Sequence, residues 1–88
     1  MKTETFHDLM EEFFPGRSKD IIYAEYEKLG IDDLDRATES QRYKLVNDII
    51  AKHGKFSAQR NRLVYNSLME SLDLKPKINH FAIDITLL

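Results

Sequence analysis

The stretch TESQRYKLVNDIIAKHGKFS, residues 38–57, contains a complete helix with its start and stop, followed by the start of another. Thr38 and Gln41 stand at capping-box spacing, where each side chain can satisfy the other's backbone N–H. Val46, Ile49, Ile50 and His53, with Tyr43 at one edge, then recur at helical intervals. Gly54 ends the run and Ser57 is a second N-cap. The helix after Ser57 places Val64, Leu68 and Leu72 on one face, flanked by Tyr65 and Met69, and stops before Lys75-Pro76.

Working outward toward the N-terminus, the same period recurs twice. Phe6, Leu9, Met10, Phe13 and Phe14 make one apolar stripe, closed by Pro15-Gly16, with Thr3 or Thr5 placed to cap its start. Ser18 reads as the next N-cap, with Asp20 in the first turn. Ile22, Tyr26 and Leu29, widened by Ile21 and Tyr23, form that helix's face, and Gly30 takes the position after its end. The acidic connection Ile31-Asp32-Asp33-Leu34-Asp35 offers Leu34 back to the core. The reading is an all-α domain over residues 1–75, two helical hairpins with short connections and antiparallel neighbours. A weak echo at a 42-residue spacing relates Ile21-Ile22-Tyr23 to Leu63-Val64-Tyr65 and Phe14 to Phe56. Similar core faces account for it without a duplication.

Residues 76–88 change character. Phe81, Ile83, Ile85 and Leu87 alternate with Ala82, Asp84 and Thr86, the period-two pattern of a β-strand. A strand needs a partner for its backbone groups. With no second strand pattern in the chain, the expected partner is a two-fold copy of itself, making the tail a homodimer interface.

Composition narrows the chemistry. At 88 residues the chain supports one small core, which a second subunit would help to stabilise. It has no cysteine, hence no disulfide or thiolate chemistry. No stretch approaches the ~20 apolar residues of a spanning helix, and the start lacks a signal-peptide core. No membrane partner and a cytoplasmic location are the expectation. The net charge of −2 is unevenly spread: residues 1–39 hold eleven acids and five bases, residues 40–88 four acids and eight bases. Such polarity steers charged partners or pairs the halves.

Catalytic and metal motifs are nearly absent. Glu4 and His7 have metal-ligand spacing, but a carboxylate-bridged bundle needs a second copy and two further glutamates. His7 with Glu11 is a surface pair by spacing. The acidic loop lacks the glycine and closing glutamate of a calcium site, and no nucleotide or hydrolase fingerprint occurs. No enzyme activity and no cofactor are expected.

One feature resists a purely structural explanation. Helix N-termini favour acids, yet the helix opened by Ser57 begins with Arg60 and Arg62, with Lys55 just before it. No acid occurs between Asp48 and Glu70. Lys52 closes the preceding helix, where a cation suits the dipole. Lys52, Lys55, Ser57, Arg60 and Arg62 are therefore the candidate site for an anion, an acidic protein or a nucleic acid. The competing reading pairs the arginines with Asp32, Asp33 or Asp35 of the same chain. The expected function is a non-enzymatic regulatory or adaptor protein working by protein–protein contact as a homodimer. A nucleic-acid-binding regulator is the alternative.

Overall fold

A computed structural model describes residues 2–75, and among these the chain forms four helices and one short 3-10 turn. The helices are α1 (Lys2–Phe13), α2 (Ser18–Leu29), α3 (Glu39–His53) and α4 (Ala58–Ser71), with the 3-10 turn at Leu34–Arg36. The proposed strand and dimer contact, with Phe81, Ile83, Ile85 and Leu87, lie outside the described residues. No helix among the described residues is long and apolar enough to cross a membrane.

Local chemistry explains most helix ends. The capping box of α3 is complete: Thr38 Oγ1 accepts from Gln41 N–H at 3.0 Å, and Gln41 Oε1 accepts from Thr38 N–H at 2.9 Å. Ser57 Oγ caps α4 by accepting from Arg60 N–H at 3.2 Å. Gly30 terminates α2 at φ 71°, a left-handed conformation that costs an L side chain energy, and Ile31 N–H returns to Tyr26 O at 2.9 Å. Gly54 stops α3 differently. Its φ is −77°, open to any residue, but an added Cβ would sit 2.5 Å from Ile50 O.

Two caps differ from the sequence expectation. α1 begins at Lys2, so Thr3 and Thr5 lie inside it, and an acid from elsewhere serves its start: Asp35 accepts from Thr3 N–H at 3.2 Å. Ser18 is the first residue of α2 rather than its N-cap, a position held by Arg17 without a side-chain capping bond. The Ser18 hydroxyl instead donates to Glu11 at 2.5 Å, while the other Glu11 oxygen accepts from Gly16 N–H at 3.0 Å. Glu11 thus braces the α1–α2 turn and is lost to His7, whose ring meets Tyr26 Oη at 3.3 Å.

Cross-contacts fix the direction of every neighbour. His7–Tyr26 and Glu11–Ser18 run α1 against α2, and Gln41 Nε2 donating to Leu29 O at 3.2 Å starts α3 where α2 ends. Arg42 Nη1 donates to Leu72 O at 2.8 Å, so α3 begins beside the end of α4. Lys2 pairs with Asp73 at 2.9 Å and Arg60 lies over Phe13, so α1 and α4 are antiparallel too. The helices form an up-down-up-down ring closed by α1 on α4.

The core contains the expected Phe6, Met10, Phe13, Phe14, Ile22, Leu34, Val46, Ile49, Ile50, Val64, Leu68 and Leu72. Leu45 joins them although it stands beside the anticipated stripe of α3, and Tyr65 and Met69 are inside rather than at the flank. Tyr23, expected on the face of α2, is exposed, and Glu25 takes the buried place. The 42-residue echo survives in space at Ile22 and Val64, both buried, but not beside them: Ile21 is buried and Leu63 exposed, Tyr23 exposed and Tyr65 buried. A different rotation of α2 and α4 against the core separates them.

Glu25 is the buried charged residue among the described residues. Its carboxylate lies 3.0 Å from Lys28 Nζ and 3.2 Å from Lys52 Nζ, and Lys28 also reaches Asp48 at 3.1 Å. Desolvation pushes the Glu25 pKa up, but the two ammonium groups outweigh it and hold the group below its ordinary value.

Candidate anion-binding end of the bundle

The antiparallel ring gathers at one end the last turn of α1, the start of α2, the last turn of α3 and the start of α4. Consequently Phe13, Phe14, Arg17, His53, Lys55, Phe56, Ser57 and Arg60, distant in sequence, share one region. Its foundation is aromatic. The Phe14 and Phe56 rings meet at 5.6 Å between centroids, and His53 stands edge-on to Phe14 at 6.3 Å. The segment that offers Lys55 is held by Asn61, whose Nδ2 donates to Gly54 O at 2.8 Å and whose Oδ1 accepts from Phe56 N–H at 3.3 Å. Asn61 is buried, so these bonds satisfy its amide where water does not reach.

Cations lie on this aromatic base. The Arg60 guanidinium is 5.3 Å from the Phe56 ring centre and 5.7 Å from that of Phe13, and Arg17 is 5.8 Å from Phe14. These are cation–π distances. Among the described residues Arg60 has no carboxylate partner. The intramolecular reading fails for it on geometry: Asp35 binds Thr3 at the start of α1, whereas Arg60 lies over Phe13 at its end, ~15 Å away along the helix. Asp33 in turn caps Asp35 N–H at 3.1 Å and approaches Arg36 at 3.8 Å.

The five candidate residues therefore divide. Lys55 and Arg60 belong to this end, and Arg62, about half a turn further along α4, helps to line an open recess of about 460 Å³. That recess is lined by Ser57, Gln59, Arg60, Arg62, Leu63 and Asn66. Ser57 also has its capping role. Lys52 is drawn toward the buried Glu25 and neutralises it. Arg17, absent from the sequence-derived set, is present because the α1–α2 turn folds back to this end.

His53 responds to the cations gathered here. Desolvation lowers the His53 pKa first, and Arg17, Lys52 and Lys55 lower it further against the opposing pull of Glu25. His53 is thus biased toward its neutral form, and the fixed cations supply the charge. A carboxylate or phosphate oxygen is the ligand type such a surface can hold. Elsewhere, desolvation lowers the His7 pKa and raises that of its partner Tyr26 to about 12. No group of three or more metal-ligating side chains occurs among the described residues. Comparison of the chain with protein-family models, curated proteins and solved structures finds no match.

Proposed function

We propose that this protein is a non-enzymatic adaptor or regulatory module that works by protein–protein contact, receiving an acidic protein surface on the end formed by Arg17, Lys55, Arg60 and Arg62. The observation that supports this is Arg60. It opposes the dipole of its own helix, has no carboxylate among the described residues, and is held against two phenylalanine rings. A guanidinium ordered before binding loses less freedom on meeting a carboxylate.

A nucleic acid is the alternative anion. The cationic surface is short, Glu11, Glu12 and Asp20 are carried by the same ends of α1 and α2, and the chain as a whole is negative. A compact acidic partner suits that distribution better than a long polyanion. Affinity purification from the native host, with and without nuclease, tests the choice. Protein partners retained after nuclease support the proposal, and partners lost with nuclease overturn it. Salt separates a nucleic acid from an apolar self-association interface, because binding to phosphates weakens steeply as counterions are released whereas apolar burial does not.

Self-association through residues 78–87 is the second part of the proposal, supported by the alternation of Phe81, Ile83, Ile85 and Leu87 in the sequence. Sedimentation equilibrium of the full-length chain checks it. A monomer at tens of micromolar rejects the homodimer.

A further inference from the structure

We infer that the partner's contacting segment alternates acidic and bulky apolar side chains, with one apolar side chain seated on Leu63 beside a carboxylate that meets Arg60. This rests on the acidic-protein reading above and specifies its ligand. Leu63 and Tyr23 are the large hydrophobic side chains exposed among the described residues, at 53% and 55%. Tyr23 packs against its own chain, edge-on to Tyr26 at 5.9 Å and to His7 at 6.3 Å. Leu63 instead lines the recess beside two arginines.

A single exposed leucine needs no explanation by itself. Its setting supplies one. An apolar centre with a charged rim is the arrangement in which a partner's anchor residue is desolvated and its neighbours are oriented. The amide side chains of Gln59 and Asn66 on the same recess can pair with both N–H and C=O groups of an extended peptide backbone. The absence of any acid between Asp48 and Glu70 leaves the first half of α4 without a charge that repels carboxylates.

Peptide display against the full-length chain tests the inference, followed by fluorescence polarisation of the enriched peptides with Leu63→Ser and Arg60→Ala variants. The expected consensus has Asp or Glu flanking Leu, Ile or Phe. Loss of one apolar contact in Leu63→Ser should weaken these peptides about tenfold, and Arg60→Ala should weaken them as well. Circular dichroism melts confirm that each variant is folded. Acidic peptides without an apolar preference, sensitive to Arg60→Ala but indifferent to Leu63→Ser, overturn this inference and leave the proposed function standing. Peptides indifferent to both variants, or no enrichment at all, overturn both. A thymidine oligonucleotide that binds through Arg60 where no peptide does gives the site to nucleic acid. A consensus reproducing Ile83-Asp84-Ile85 would assign the recess to this chain's own sequence and overturn the foreign partner.

Discussion

Arg60→Ala is the substitution that best tests how the cationic end is held. Two opposing contributions change. The guanidinium loses its contacts with Phe13 and Phe56, at 5.7 and 5.3 Å, each worth about 0.5–1 kcal/mol at an exposed site. Removing a cation from the first turn of α4 relieves a repulsion of about 0.3–1 kcal/mol. The net loss is then between about 0 and 2 kcal/mol, too small to distinguish mechanisms by size alone. Salt distinguishes them by sign. Added salt screens the dipole repulsion that burdens the parent protein, while the ring contacts, lying at short range, are less affected. The stability difference between parent and variant should therefore grow with ionic strength. An arginine engaged in an ion pair would behave oppositely, its loss mattering less as salt rises. Urea denaturation followed by far-UV circular dichroism, at low salt and at high salt, reads the trend. A difference that shrinks on adding salt would refute the stacked, unpaired guanidinium and with it the support for the anion site.

Three further outcomes are expected. Leu68 is fully buried, so Leu68→Ala should cost about 3–5 kcal/mol in urea melts, a large share of the stability of so small a domain; a loss of a few tenths would contradict the packing. Gly54→Ala should cost about 1–3 kcal/mol, because the new Cβ meets Ile50 O at 2.5 Å and the chain must shift; thermal unfolding of that variant would refute the close approach if its midpoint were unchanged. Stability should fall toward both extremes of pH, as read by urea midpoints in a buffer series. On the acid side His7 and His53 bind protons less readily when folded, so acidification through their ordinary 6.5 favours the unfolded chain. The Glu25 contribution is complete above its ordinary 4.5 and is lost as pH falls through its lower folded value. On the alkaline side the Tyr26 pKa is raised from 10.0 to about 12, so the unfolded chain deprotonates first and stability falls across that interval. In a His7→Gln, His53→Gln double variant the fall that begins near 6.5 should disappear while the Glu25 fall at lower pH remains, and a fall near 6.5 unchanged by the substitutions would refute the histidine share.

The sequence by itself determined whatever depends on neighbours along the chain. The capping box at Thr38, the cap at Ser57, the left-handed stop at Gly30 and the helical stripes were legible because each joins residues within about one turn. The misfit of Arg60 at a helix start was legible for the same reason. Tertiary structure decided what depends on rotation and on contact between distant segments. It set which residues beside a stripe go inside, burying Leu45 and Glu25 and exposing Tyr23 and Leu63, since small turns of a helix about its axis exchange such edge positions. It gave the start of α1 a cap from Asp35, thirty-two residues away, and turned Ser18 toward Glu11 instead of its own backbone. It also supplied the two rings that carry Arg60. No local pattern announces them, because Phe13 and Phe56 become neighbours only when the ring of helices closes and α1 meets α4.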